Sequence, residues 1–139
     1  MGKHYAKARW EGTLKEGNGK MNFTGYDGPF NFKSRFEDGQ ETSPEELVGA
    51  ANAGCFSMFL SALISKKELT PTSIETKATV DLGQDDGPKI TSIHLECEAV
   101  VPGLSEADFQ ALAAEAKAKC PISRLYTGTE ISLSAKLVS

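Results

Sequence analysis

The segment 47–64 restricts the folding of this chain more than any other feature, because it is almost entirely apolar. The four residues before it, Ser-Pro-Glu-Glu at 43–46, supply an N-cap, a proline for the first helical position and two carboxylates for a helix N-terminus. Lys66 and Lys67 suit its C-terminal end. A helix without a polar face is buried on all sides. In a chain of 139 residues, this predicts burial against a partner subunit as well as against the chain's own sheet.

Segments on both sides of this helix alternate apolar and polar residues with a period of two, which is typical of half-buried strands. The predicted strands before the helix cover residues 5–14, 21–23 and 30–36, with turns at 17–19 and 26–29. Those after it cover 73–82, 93–101 and 130–137, with a turn at 85–88. Arg35 is expected on the polar face of the third strand, opposite the phenylalanines.

A second helix is predicted from Ser105, a suitable N-cap, through Lys119. It ends at Cys120, because the following Pro121 disfavours helical geometry in the residue before it. The resulting order is three strands, a helix, two strands, a helix and a strand. This order predicts a single α+β domain over residues 1–139, with largely antiparallel sheets packed on a buried central helix.

Composition and charge exclude several classes of function. The net charge of −4 offers no broad basic surface for nucleic acid. No uninterrupted apolar run reaches the ~18 residues needed to span a membrane, and the N-terminus lacks the apolar segment of a secretory signal. We therefore expect a cytoplasmic protein. Three cysteines without a CxxC pair argue against a disulfide framework and a metal site, since His4 lies far from all of them in sequence and His94 lies near Cys97 alone.

The three cysteines differ in their surroundings. Cys97 lies on the apolar face of a predicted strand and is interpreted as a small buried hydrophobe. Cys55 lies in the middle of the apolar helix, where burial raises a thiol pKa, so that only a neighbouring cation would make it reactive. Cys120 ends a helix in a half-apolar run and is expected to be accessible. A helix C-terminus does not favour a thiolate, so Cys120 suits a resolving thiol better than an attacking one.

Several stretches, in order and at matching spacing, resemble the OsmC/Ohr family of organic hydroperoxide reductases, in particular its osmotically inducible protein C branch. They extend over essentially the whole chain. The matching stretches are residues 8–12, 31–37, 43–58, 69–74, 101–103 and 116–123, of which 43–58, with Gly-Cys-Phe-Ser at 54–57, is the strongest. Each stretch alone is a weak signal, but together they are specific. The resemblance implies an OsmC-like fold and an intertwined homodimer.

The resemblance also implies catalytic roles for four residues. Cys55 matches the peroxidatic cysteine and Cys120 the resolving cysteine. Arg35 matches the arginine that faces the reactive thiolate, and Glu45 the glutamate that holds that arginine. Cys97 matches no catalytic position, in agreement with its interpretation as a core residue.

The implied activity is reduction of organic hydroperoxides to alcohols through a sulfenic acid and a disulfide, with a dithiol reductant of the lipoyl type. Cysteine is then both nucleophile and electron donor, so no metal, flavin or haem is required. Phe56, Met58 and Phe59 would favour an organic peroxide, although Met and Phe at helical spacing are core residues more often than substrate contacts. Asn52 and Gly54, which depart from common family residues, are expected to tune the pocket. Two alternatives remain open: a non-catalytic dimer that binds a small molecule or lipid, and a thiol redox sensor.

The spacing of Glu45 and Cys55 raises a geometric question. Ten residues of α-helix advance about 15 Å, so Glu45 cannot approach Cys55 within one regular helix. Either the helix is broken between them, or the two residues belong to different sites. We expect the second arrangement, in which Cys55 of one chain meets Glu45 of another in a two-fold dimer.

Overall fold

The computed structural model describes residues 2–138 and confirms the α+β class. The elements are β1 (Lys7–Glu11), β2 (Asn18–Phe23), β3 (Tyr26–Phe30), α1 (Phe32–Phe36), α2 (Pro44–Ser65), β4 (Ser73–Gln84), β5 (Pro88–Val100), α3 (Glu106–Lys119), α4 (Pro121–Leu125) and β6 (Glu130–Leu137). The chain divides between Leu47 and Val48 into two compact units. That residues 1–139 form a single domain stays a prediction.

The first unit contains the antiparallel sheet β1-β2-β3. Both of its predicted turns are displaced from their true positions. Asn18 and Gly19 already belong to β2, and residues 26–29, predicted as a turn, form most of β3. The chain reverses instead at Thr24-Gly25, where Gly25 has a φ of 75°, a conformation that glycine adopts at little cost.

Residues 30–36 do not form the predicted third strand, because they contain the short helix α1. Asn31 and Ser34 make a capping box: the Asn31 side chain accepts a hydrogen bond from Ser34 N at 2.9 Å, and Ser34 Oγ accepts one from Asn31 N at 2.9 Å. The phenylalanines of this segment alternate with polar residues, a pattern that predicts a strand, but the hydrogen bonds of the capping box favour a helix. Arg35 therefore lies on a helix rather than on a strand face.

The second unit contains the sheet β4-β5-β6, in which β5 pairs antiparallel with β4 and parallel with β6. Its strands, the turn at 85–87 and the helix α3, capped by Ser105, agree with the sequence prediction. The hydrophobic core lies in this unit. Its most deeply buried members are Phe56, Leu60 and Ile64 of α2, Ile93, Leu95, Cys97 and Ala99 of β5, and Phe109, Ala113 and Ala116 of α3.

The helix α2 runs without interruption from Pro44 to Ser65, as predicted, and Ser43 Oγ accepts a hydrogen bond from Glu46 N at 3.0 Å. It is not buried on all sides within one chain. The stripe Ala51, Gly54, Met58 and Ala62 is exposed, and Met58 retains 80% of its accessible surface.

The composition of α2 also bears on membrane binding. This helix of 22 residues is long and apolar enough to cross a bilayer. The criterion of an apolar run of about 18 residues missed it, because a few polar residues interrupt the run. Core helices pass the same test, and about a third (33%) of the most apolar window is buried. Length and composition are thus weak support for a membrane span.

Candidate active site

Arg35 and Glu45 form an ion pair within the first unit. Arg35 Nη2 lies 3.0 Å from Glu45 Oε2, and Arg35 Nε lies 3.2 Å from both carboxylate oxygens. The helix α1 presents the guanidinium, which also lies over the Phe36 ring at 5.3 Å, and the first turn of α2 presents the carboxylate. The Glu45 side chain is only 11% exposed, whereas that of Arg35 is 41% exposed. The carboxylate therefore fixes one side of a guanidinium whose remaining donors are open to a further anion.

Cys55 lies in the middle of α2, half-buried and with a free thiol. Burial raises the pKa of Cys55, the backbone N–H of Ile122 opposes this, and the neighbouring Cys120 thiol raises the pKa further. These influences come from within the second unit, and their net effect disfavours the thiolate. A reactive Cys55 thus still needs a cation, as the sequence indicated.

Cys120 is fully buried, so the expectation that it is accessible is wrong. It lies between two helices: it is the C-cap of α3 and also the N-cap of α4. Its sulfur accepts a hydrogen bond from Ser123 N at 3.4 Å. The sequence pattern predicted only the helix that ends at this residue. The signal for the second helix was Pro121 directly after the cysteine, because proline is favoured at the first helical position.

Two residues that the sequence analysis gave no catalytic role lie beside Cys120. Ser123 Oγ is 3.0 Å from Cys120 Sγ. The Asn52 side chain, fully buried, donates a hydrogen bond from Nδ2 to Ser123 Oγ at 3.1 Å and approaches Cys120 Sγ at 3.9 Å. Asn52 precedes Cys55 by one turn of α2, so the two share a helix face. Their i, i+3 spacing was a usable signal, but nothing in the sequence indicated that this face meets α4.

The other residues named in the sequence analysis are core residues or exposed residues. Cys97 is buried in the core, as expected, and its thiol interacts with the Thr76 side chain. Phe56 is fully buried in that same core, so of its two interpretations the core residue holds and the substrate contact does not. Phe59 packs against the core and Met58 is exposed. Within residues 2–138, no group of three His, Cys, Asp or Glu side chains could hold a metal ion.

Each unit thus holds half of what thiol chemistry requires. The second unit brings together two free thiols, Cys55 and Cys120. A thiol that becomes oxidised can pass to a disulfide with a neighbouring thiol. The first unit holds an arginine oriented by a carboxylate, which is suited to stabilising an anion.

Comparison with known proteins identifies the family. A family profile described as OsmC-like protein matches residues 37–135. The chain is 42% identical over 137 residues to peroxiredoxin OsmC of Escherichia coli, covering 96% of this chain and 95% of that protein. It is 32% identical over 91 residues to an organic hydroperoxide resistance protein of Xanthomonas axonopodis, covering 65% of this chain and 63% of that protein.

A solved structure supports the same fold. The OsmC-like protein of Mycoplasma pneumoniae superposes with a TM-score of 0.78 over 99% of both chains, at 15% identity. At that identity the likeness concerns the fold alone. The profile match and the full-length relative together show that this chain belongs to the OsmC-like family.

Proposed function

We propose that this protein is a peroxidase that reduces organic hydroperoxides to alcohols with Cys55 and Cys120. The observation that carries the proposal is the proximity of these two free thiols in one unit: Asn52, one turn before Cys55 on the same face of α2, approaches Cys120 Sγ at 3.9 Å. The Cys120 thiol accordingly raises the pKa of Cys55. The names of the relatives, a peroxiredoxin and an organic hydroperoxide resistance protein, support this activity and substrate class.

The reaction proceeds in three steps. The Cys55 thiolate attacks the terminal oxygen of the hydroperoxide, so that an S–O bond forms, the O–O bond breaks and the alcohol leaves after protonation. Cys120 then condenses with the Cys55 sulfenic acid, forming the disulfide and releasing water. An external dithiol, which we propose to be of the lipoyl type, restores both thiols by exchange. Sulfur carries all the electrons, so the cycle needs no metal or organic cofactor.

The proposed working unit is a homodimer in which Arg35 and Glu45 of one chain serve Cys55 of the other. Two features support it. The helix α2 is unbroken from Pro44 to Ser65, so ten residues of regular helix separate Glu45 from Cys55, a rise of about 15 Å. The second feature is the exposed small-residue and Met58 stripe of this otherwise apolar helix, which a second copy would cover.

The Arg35 guanidinium would supply the positive charge that Cys55 lacks within its own unit. Since burial and Cys120 raise the pKa of Cys55, an opposite charge is needed to favour the thiolate at neutral pH. Glu45 would fix the direction of the guanidinium fork through the three hydrogen bonds described above. The reducing dithiol that the cycle requires is consistent with the proposed cytoplasmic location.

A thiol count tests the proposed activity. The reduced protein is mixed with one equivalent of cumene hydroperoxide, and its free thiols are titrated. Two of the three thiols are expected to disappear in the unchanged protein, both remaining thiols in Cys97→Ala, and none in Cys55→Ser. Turnover with dihydrolipoamide then separates an enzyme from a sensor that is oxidised only once. An unreactive Cys55 would favour a non-catalytic binding dimer and refute the proposal.

A further inference from the structure

The cluster of Asn52, Cys120 and Ser123 has an internal direction of hydrogen bonding. Asn52 Nδ2 can only donate, so Ser123 Oγ accepts at 3.1 Å. A Cys120 thiolate has no hydrogen to donate, so in that form the Ser123 hydroxyl, with Oγ 3.0 Å from Cys120 Sγ, donates its one hydrogen to the sulfur. Ser123 N donates to the same sulfur at 3.4 Å. The donors thus converge on Cys120 Sγ, an arrangement that stabilises negative charge on the sulfur.

Packing alone does not account for Asn52. Its side chain is fully buried, and Oδ1 has no hydrogen-bond partner among residues 2–138. An unpaired buried carbonyl oxygen destabilises a fold, and a leucine of similar size would avoid that cost. The amide is therefore better explained by what its Nδ2 group does for Ser123 and Cys120 than by its contribution to the core.

We propose that Asn52 is a positioning residue for the resolving step, acting on Cys120 through Ser123. This inference rests on the proposed peroxidase function. In that step, Cys120 Sγ attacks the sulfur of the Cys55 sulfenic acid. The S–S bond forms, the S–O bond breaks, Cys120 is oxidised, and the departing hydroxide takes up the thiol proton as water. Asn52 directs the Ser123 hydroxyl toward Cys120 Sγ, so that the thiolate is stabilised where it attacks.

The test separates the two oxidation phases in the full-length protein. Reduced Asn52→Leu is mixed with one equivalent of cumene hydroperoxide. Sulfenic acid formation on Cys55 is followed by dimedone trapping and disulfide formation by loss of the second thiol. We expect the first phase to stay within about twofold of the unchanged protein and the second to slow about tenfold or more. The pH at which the second phase is half-maximal should also rise, because a weaker donor set requires a higher pH for the same thiolate fraction.

Two further variants make the result decisive. Ser123→Ala should show the same slower second phase and the same pH shift, so it decides the question if Asn52→Leu does not fold. Ser57→Ala is the matched control, because Ser57 also lies on α2 in a side-chain hydrogen bond, to Thr76 at 2.6 Å, and should change neither phase.

Each outcome has one interpretation. An unchanged second phase in the folded variants, or a slower one without a pH shift, refutes the role of Asn52 but leaves the peroxidase proposal intact. If the unchanged protein does not lose two thiols, the peroxidase proposal fails and this inference fails with it.

Discussion

The Arg35–Glu45 ion pair and the cluster around Cys120 differ in charge and in solvent exposure. The ion pair is charged and half open to solvent, with the Arg35 side chain 41% exposed. The cluster is uncharged and closed, with Asn52 and Cys120 fully buried. A buried cation would be strongly destabilising without several partners, whereas a buried thiol is nearly as apolar as its neighbours. The charged pair thus lies in the first unit and the two thiols Cys55 and Cys120 lie in the second.

The largest expected effect is on the rate of Cys55 oxidation when Arg35 is replaced. In Arg35→Met, oxidation of Cys55 by cumene hydroperoxide should slow by about 10²-fold or more, as when a single preorganised donor is removed from other active sites. Unfolding free energy should also fall, by about 1–3 kcal/mol, because the nearly buried Glu45 carboxylate loses its three hydrogen bonds. Stopped-flow oxidation and urea unfolding measure the two quantities.

The matched control for this variant is Arg9→Met, since Arg9 also forms an ion pair, with Glu11 at 3.5 Å, but a more exposed one. It should retain the rate of the unchanged protein. Equal rates in both variants would show that the charge of Arg35 has no part in the chemistry.

A second prediction concerns whether Arg35 of one chain lies beside Cys55 of the other chain in the dimer. Arg35→Met and Cys55→Ser are each expected to be inactive. When equal amounts are mixed and allowed to exchange subunits, random pairing makes half of the dimers mixed, each with one complete site, so about a quarter of the activity should return. No recovery after demonstrated exchange would place each site within one chain, and a stable, fully active monomer in sedimentation would exclude the dimer.

A smaller effect is expected from the contact between the two cysteines. The Cys120 thiol raises the pKa of Cys55 beyond the effect of burial, so Cys120→Ala should lower that pKa. A lower pKa leaves more thiolate at a given pH, and the pH profile of the first oxidation phase should move toward lower pH. Cys97→Ala is the control and should leave the profile in place. A shift toward higher pH would contradict the proposed interaction.

The smallest effect should come from the third cysteine. Cys97 is 2% exposed and lies in the core of the second unit. Replacing it with alanine should cost about 1 kcal/mol of unfolding free energy, typical of a small loss of core volume, with no change in peroxide-dependent thiol loss. Chemical denaturation and thiol titration check both points, and slower peroxide reduction by this variant would mean that Cys97 is more than a packing residue.

The sequence predicted elements well where two independent signals agreed. For α2, the N-cap and proline at residues 43–44 agreed with a long apolar run. The strands β4 and β5 combined a clear period of two with an Asp-Asp-Gly turn at residues 85–87. Prediction failed at residues 30–36, where alternating phenylalanines favoured a strand and a capping box at Asn31 and Ser34 determined a helix. Local hydrogen bonds of a few residues outweighed the pattern, because so short a segment buries little apolar surface.

The sequence by itself determined the two helices that carry Cys55 and end at Cys120, and its resemblance to the OsmC/Ohr family supplied the family and the four proposed catalytic residues. Tertiary structure decided what surrounds those residues. Cys120 is buried rather than accessible, and as the N-cap of α4 its sulfur accepts a hydrogen bond from Ser123 N. Asn52 donates to Ser123 Oγ from a different helix. Caps and periodicity act between residues close in sequence, so they can be read from the chain. The contact of Asn52 with Ser123 spans 71 residues, and only the packing of α2 against α4 creates it.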